Sequence, residues 1–260
     1  MLIKKGFLGF IFVCVILFTF NFCTSDNSTN PSEQNLKNYY PGVEGTSYKY
    51  GFKQENSNGV IVAGTRSVNY GAEIYIDTVM YREQRDSLDD GTGITENISY
   101  FRKTPTGIFY FIDISDFINL FPDSIKNLIS TQDEMRLLLN PLASGSIWPV
   151  LRITVSLQPG VNFSPMDING YFIAQEDLTL NLENGAVEVS AQKVKYDLDI
   201  VTDLNQTVQR FSAYAWFADE IGMVKMKGNI VITNILLTGE INFTDTATTV
   251  TQDLIDYDIK

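Results

Sequence analysis

Residues 180–189 read Leu180-Asn181-Leu182-Glu183-Asn184-Gly185-Ala186-Val187-Glu188-Val189. Apolar and polar residues alternate on both sides of the central Asn-Gly pair, and this period of two is typical of strands with one buried face. An Asn-Gly pair favours the tight turn with positive φ that joins two antiparallel strands. The stretch therefore predicts a β-hairpin, and it predicts that the surrounding fold is built from antiparallel strands.

The same alternation extends over most of the chain in both directions from this hairpin. It predicts strands over residues 46–53, 72–82, 94–102, 108–114, 150–157, 171–182, 186–200, 207–218, 222–234 and 236–244. The connection at residues 103–107 contains Pro105 and Gly107, which suits a turn between two of these strands. The pattern indicates a mainly β protein.

Residues 115–140 interrupt the strand pattern. Ser115 or Asp116 suits a helix N-cap, and Pro122 suits the first position of a new helix. Residues 131–134 resemble a capping box that leads into the apolar residues 135–139. We therefore expect a strongly curved antiparallel sheet, a half-barrel or incomplete barrel, with one or two short helices inserted around residues 115–140.

The beginning of the chain has the layout of a bacterial lipoprotein signal. Lys4 and Lys5 precede the apolar run Gly6–Phe22, and Cys23 stands directly before a polar segment. Such a run is an export signal and is excluded from fold reasoning. Cys23 is then the predicted lipid-bearing first residue of the mature protein, which places the protein in the bacterial envelope as a periplasmic or outer-membrane lipoprotein.

The predicted organisation is a signal peptide at residues 1–22, a flexible tether at 23–38 and a single β-rich domain at 39–260. Phe22 is larger than the residue usually found before a lipidated cysteine. Two alternatives therefore stay open, namely cleavage after Ser25 by an ordinary signal peptidase and retention of an uncleaved helical anchor.

Composition excludes several classes of function. The chain has 31 acidic and 19 basic residues, a net charge of −12, and such a surface repels phosphate backbones, which argues against nucleic-acid binding. It has no histidine, and its two cysteines are Cys14 and Cys23 at the amino end. Catalytic triads and the usual zinc, haem and iron–sulfur ligand sets are thereby removed. We expect no cofactor, no metal and no catalytic residue.

Three segments together resemble a known group of proteins. They are Tyr39–Tyr50, with the order YYPGVEGTSYKY, Asn140–Trp148, with NPLASGSIW, and Trp216–Lys225, with WFADEIGMVK. The chain resembles uncharacterised bacterial lipoproteins with "YYPLxxGxxWxY", "PLxxGxxW" and "WFAxGVGLVK" phrases, and it is similar to TapB-like and LolA/LolB-like exported proteins. Tyr48 stands where that pattern has Trp. The resemblance implies a curved half-barrel sheet whose concave face is covered by a helix.

The apolar residues of the 115–140 insert are the candidate ligand contacts, because an apolar ligand could lie beneath a helix in the concave face. Together with the two tryptophans, the candidate site is Phe117, Leu120, Phe121, Ile125, Leu128, Trp148 and Trp216. The alternative for each of these residues is that it closes the core.

The sequence thus predicts a lipid-anchored, non-enzymatic envelope protein that binds an apolar ligand or an acylated partner in the concave face. The alternative is an envelope scaffold or interaction module with a self-filled core. A third class, a carboxylate hydrolase, rests only on the abundance of acidic pairs. The loop 86–93 has three aspartates and two glycines, which is either a calcium loop or an acidic hairpin loop.

Overall fold

In a computed structural model of the chain, the strands of the described residues form one sheet of thirteen. The structure describes residues 37–56, 58–113, 115–119, 123–158, 160–201 and 208–260. The strands are β1 Ser47–Asn56, β2 Gly59–Ile76, β3 Val79–Asp89, β4 Ile94–Thr104, β5 Gly107–Phe111, β6 Ile129–Thr131, β7 Glu134–Leu139, β8 Ile147–Gln158, β9 Val161–Leu182, β10 Gly185–Val201, β11 Val208–Ala218, β12 Gly222–Asn229 and β13 Thr249–Asp258. The helices are α1 Ser115–Asn119, α2 Asp123–Lys126 and α3 Ile230–Thr238.

The strands follow the order β6-β8-β9-β10-β11-β12-β13-β1-β2-β3-β4-β5-β7, and neighbouring strands are antiparallel. The order begins at β6 and ends at β7, so backbone pairing leaves the sheet open. Strands from opposite ends nevertheless touch, because Trp148 Nε1 on β8 donates to Arg136 O on β7 at 3.2 Å. Tyr196 OH on β10 donates to Leu137 O, also on β7, at 2.8 Å. The sheet is therefore strongly curved, as the sequence predicted.

The hairpin predicted at residues 180–189 is present, but its two turn residues are Glu183 and Asn184, because Gly185 already pairs with Leu182. β9 and β10 pair from Leu182 with Gly185 down to Met166 with Ile200, and Gly185 has a φ of 131°. β9 is the longest strand, and the tip of this hairpin reaches β13, where Glu183 N donates to Ile255 O at 2.8 Å.

Helix α3 fills the concave face of the sheet. Its segment Ile230–Thr238 is apolar around most of its circumference, and Val231, Ile232 and Ile235 are fully buried. It contacts β4, β10, β11, β12 and β13. Burial of these side chains, at about 1.5–3 kcal/mol each, is the main contribution that holds the helix in place.

The sequence prediction was wrong at several places. Residues 72–82 were expected to be one strand but contain the turn at Asp77 and Thr78 that joins β2 to β3. Residues 230–238 were expected to be strand but form the helix, and residues 239–248 contain no strand. Residues 134–139 were expected to be helical but form β7, which pairs with β5. Strand β13 was not predicted at all. The two short helices α1 and α2 do lie within the predicted insert.

No helix among the described residues has both the length and the hydropathy to cross a membrane. Cys23, the signal peptide and most of the tether lie outside the described residues. Lys37–Lys260 form one compact unit.

Candidate functional site

Inside the curved sheet, a small cavity lies beneath α3. The space available to a water centre is about 20 Å³, enough for one molecule. Its walls combine aromatic and apolar side chains with a few polar ones from β2 and β3. They include Tyr40, Tyr50, Arg66, Gln84, Tyr110, Tyr196, Phe217 and Leu236.

A buried charged network lies in one wall of this cavity. Arg66 and Asp86 form an ion pair between β2 and β3, and each side chain is only 5–6% exposed. Arg66 Nη1 also donates to Gln252 Oε1 at 3.2 Å. Gln84 Nε2 donates to Asp86 Oδ2 at 2.8 Å, and Tyr110 OH donates to Gln84 Oε1 at 2.7 Å. Charges removed from water need such partners, since an isolated buried charge is strongly destabilising.

Tyrosine hydroxyls extend the network. Tyr40 OH and Tyr110 OH are 2.8 Å apart, and Tyr50 OH donates to Met223 O at 3.0 Å. The Arg66 guanidinium lies 5.6 Å from the centre of the Tyr50 ring. Burial raises the pKa of Tyr40 to about 12 and raises the pKa of Tyr50 and Tyr110 well above the usual tyrosine range. These phenols therefore stay protonated at neutral pH and act as hydrogen-bond donors.

The Arg66 side chain keeps its charge in this environment. Burial alone would lower its pKa, but the Asp86 carboxylate and the surrounding tyrosines outweigh burial, and the pKa of Arg66 is raised. Asp86 Oδ1 makes no hydrogen bond among the described residues and faces only the Arg66 guanidinium. The cluster therefore holds an ion pair in the interior, with the two side chains directed at each other.

Sequence reasoning missed this network, although a signal was present. Arg66, Val68 and Tyr70 alternate along β2, and all three are buried, so Arg66 occupies an inward position of the strand pattern. Gln84 and Asp86 have the same spacing on β3. A charged residue in phase with apolar ones along a strand indicates a buried pair, but its partner depends on the strand register.

Trp148, one of the predicted ligand contacts, is a core residue that is 1% exposed. Its ring packs edge-on against Tyr196, with centroids 6.3 Å apart, and lies directly over Gly170. A Cβ added at Gly170 would come within 2.4 Å of the indole ring. Trp148 thus fills space beside β7 and fixes that edge strand through its bond to Arg136 O.

Trp216 lies on the opposite face of the sheet from its neighbours Ala215 and Phe217, which line the cavity. Its Nε1 donates to Glu176 Oε2 at 2.7 Å, and Lys193 Nζ lies 5.0 Å from the ring centre. The structure therefore does not bring the two tryptophans together at one site.

Most of the remaining candidates cannot be placed. Leu120 and Phe121 lie outside the described residues, as do the side chains of Phe117 and Ile125. Leu128 is 37% exposed, and its carbonyl accepts a hydrogen bond from Ser156 N. A ligand-binding role for these residues stays a prediction.

The acidic segment 86–93 is divided between a strand and a turn. Asp86 belongs to the buried network, whereas Asp90 Oδ1 accepts hydrogen bonds from Thr92 N at 2.8 Å and Gly93 N at 3.1 Å. The Thr92 hydroxyl donates to the same oxygen at 2.7 Å, and this bond, together with the two backbone bonds, lowers the pKa of Asp90 and makes it part of the hairpin turn between β3 and β4. Within the described part of the chain, no group of three or more acidic or cysteine side chains is arranged to hold a metal ion.

Comparisons with known proteins give distant matches. No family model and no curated protein matches the sequence. Among solved structures, the chain is similar to a protein of Parabacteroides distasonis described as a lipoprotein, with 14% identity, a TM-score of 0.46 and coverage of 86% of this chain and 100% of the other. An exported protein of Bacteroides fragilis with a YmcC-like fold has 16% identity and a TM-score of 0.44, with coverage of 85% and 98%.

The hypothetical lipoprotein YmcC of Escherichia coli has 12% identity and a TM-score of 0.31, with coverage of 80% of this chain and 86% of the other. None of the three is described as TapB-like or LolA/LolB-like, and that resemblance stays a prediction. Because the matches are distant, the function must be argued from this chain's own residues.

Proposed function

We propose that this protein is an exported, lipid-anchored and non-enzymatic module of the bacterial envelope that acts through its outer surface and not as a carrier. The charged start, the apolar run and Cys23 support the export and the anchor. The filled interior of the sheet supports the choice of a scaffold or interaction module over a carrier.

The observation that carries this proposal is the position of α3. Val231, Ile232 and Leu236 occupy the concave face, and the cavity that remains holds about one water molecule. Sites that enclose small molecules have volumes of about 300–1,000 Å³. An apolar ligand in the concave face would have to displace α3 and expose its buried side chains to water.

The proposal of a non-enzymatic role rests on the chemistry of the side chains. The chain has no histidine, and its buried carboxylates Asp197 and Asp86 are paired, Asp197 with Lys195 and Asp86 with Arg66. A general base needs access to a substrate proton, and the Asp86 carboxylate is enclosed by its own network.

Mass spectrometry of the full-length protein extracted from its native membrane tests both parts of the proposal. A denatured mass equal to residues 23–260 plus acyl chains supports the anchor, and one equal to residues 26–260 or to the whole chain contradicts it. A native spectrum with no additional stoichiometric mass supports the filled interior. A bound lipid that survives detergent exchange in the Arg136→Gln variant, whose outer-face cleft is altered, would contradict it and would favour the carrier.

A further inference from the structure

A second and larger opening lies on the opposite face of the sheet, at the edge formed by β7. It has a volume of about 380 Å³, within the range of small-molecule sites. We call it the Arg136 cleft, and its walls include Val79, Phe109, Gln132, Asp133, Arg136 and Pro149. Phe109 and Tyr110 are consecutive on β5 and therefore point to opposite faces of the sheet. Tyr110 points to the interior network, so the cleft at Phe109 is separate from that network.

Arg136 differs from every other arginine of the chain. The other six arginines each form an ion pair, namely Arg66 with Asp86, Arg82 with Glu73, Arg85 with Glu83, Arg102 with Glu134, Arg152 with Asp167 and Arg210 with Asp199. Among the described residues, the Arg136 guanidinium has no carboxylate within ion-pair distance and no hydrogen-bond acceptor. It is half-buried and lies 5.0 Å from the centre of the Phe109 ring.

The Glu134 carboxylate, which also lines the cleft, is not available to Arg136. Arg102 binds both oxygens of Glu134, with Nη2 to Oε2 at 2.6 Å, and Tyr81 OH donates to Oε1 at 2.7 Å. Arg102 lies over the same Phe109 ring at 4.6 Å. Phe109 therefore contacts two guanidinium groups, one neutralised by Glu134 and one whose donors have no acceptor in the described part of the chain.

In a chain with a net charge of −12, an arginine with no carboxylate partner among the described residues, beside a cleft with one apolar wall, has donors to offer an anion. The fixed fork of the guanidinium matches the two oxygens of a carboxylate. Val79, Phe109 and Pro149 supply an apolar wall beside it. Asp133 and Glu134 also face the cleft, so a doubly charged phosphate would meet more repulsion than a singly charged carboxylate.

We propose that the Arg136 cleft binds a monocarboxylate with an apolar body, its carboxylate held by the Arg136 guanidinium and its body lying against Val79, Phe109 and Pro149. Two natural sources share this chemistry, the C-terminus of a peptide and a fatty acid. The proposal does not depend on the filled interior, because the cleft lies on the other face of the sheet.

Calorimetric titration of the intact protein tests the site with two carboxylate probes, N-acetyl-leucine and octanoate. Leucinamide and inorganic phosphate serve as comparison ligands without the expected chemistry. We expect at least one carboxylate to bind, with both comparison ligands at least about tenfold weaker. Preference for N-acetyl-leucine points to a peptide source and preference for octanoate to a fatty acid.

The Arg136→Gln variant keeps a polar side chain but removes the charge and the fork, and we expect its carboxylate affinity to fall at least about tenfold. The contact with the Phe109 ring is lost but no ion pair is, so its thermal unfolding temperature should fall only slightly. Arg210→Gln is the matched control, since Arg210 is exposed and paired with Asp199 elsewhere, and it should bind as the parent does.

Val79→Glu is a second variant, at a wall position that is 38% exposed, and its new charge should also weaken binding. Three results would each overturn the proposal. The first is that neither carboxylate binds the parent protein. The second is that both cleft variants bind carboxylate as tightly as the parent does. The third is that phosphate binds as tightly as the carboxylates.

Discussion

At the scale of single residues, the Arg66–Asp86 pair is the least expected feature of the interior. Replacing a buried pair with apolar side chains is often neutral or stabilising, whereas removing one partner is not. The pair joins β2 to β3, and the Arg66 bond to Gln252 links them to β13. We infer that it fixes the register of these three strands.

The first prediction tests whether Arg66 destabilises the fold once its partner Asp86 is removed. Asp86→Ala leaves the Arg66 charge buried without compensation, so we expect the free energy of unfolding in urea to fall by about 3–5 kcal/mol. The double variant Arg66→Met, Asp86→Leu should recover most of that loss. Asp199→Ala, which breaks the exposed pair with Arg210, is the control and should change stability by at most about 1 kcal/mol. If Asp86→Ala and Asp199→Ala lower the free energy of unfolding by the same amount, the buried charge is not the cause of the loss.

Single residues also show what the sequence could predict. The alternation of Tyr48, Tyr50 and Phe52 predicted one buried face, and all three are buried on β1. Arg66 obeys the same alternation, but a charge is usually assigned to the solvent side. Its amide partner Gln252 is 186 residues away in the chain. The two side chains meet only because β13 pairs with β1, and β1 with β2, in one particular register.

At the scale of elements, α3 shows a segment whose composition alone does not decide between strand and helix. Its residues Ile230–Thr238 are mostly β-branched or leucine, and such a run suits a strand as well as a helix. Two caps decide the outcome. Asn229 accepts a hydrogen bond from Val231 N at 3.0 Å, and Gly239 adopts a φ of 75° that ends the helix.

The opposite error occurred at β7. Thr131 and Glu134 have the spacing of a capping box, but in the structure Glu134 pairs with Arg102 and accepts from Tyr81. Partners that are distant in sequence thus take the side chain that local spacing assigned to a helix. The candidate ligand cleft was missed for the same reason, because Phe109 and Arg136 meet only across the β5–β7 pair.

The second prediction concerns the N-cap of α3. Asn229 Oδ1 caps the helix, and its Nδ2 donates separately to Thr246 O at 2.9 Å. We expect Asn229→Ala to lower the free energy of unfolding by about 1–2 kcal/mol. Asn229→Asp keeps the capping oxygen and loses the amide donor, so it should cost less than Asn229→Ala. A larger loss for Asn229→Asp, measured by the same urea unfolding, would show that the loop bond matters more than the cap.

At the scale of the whole molecule, the sheet has two halves, each built from strands that are consecutive in the chain, and one strand pairs with both halves. Strands β1 to β5 are neighbours in order, as are β8 to β12, and β13 lies between β12 and β1. Hairpin cues predict local neighbours, but no local signal says that residues 249–258 pair with residues 47–55. The curved sheet could therefore be predicted, while its strand order could not.

The third prediction follows from this central position of β13. Without residues 249–260, the facing edges of β1 and β12 lose their backbone partners, and the buried side chains Val250 and Leu254 are removed from the core. Unpaired backbone groups and lost apolar burial both oppose folding. We expect the truncated protein to show no cooperative unfolding transition in urea when followed by circular dichroism.

Removal of residues 259 and 260 alone, beyond the end of β13, is the matched control and should leave a cooperative transition.

The β1–β13 and β12–β13 pairings cannot form until β13 is present, so the two halves cannot close around α3. Pairings between strands this far apart in sequence slow folding, because loop closure comes before the contacts that stabilise it. If the truncated protein unfolds cooperatively with an unchanged denaturant slope, the halves hold together through their concave faces, and β13 is an accessory strand.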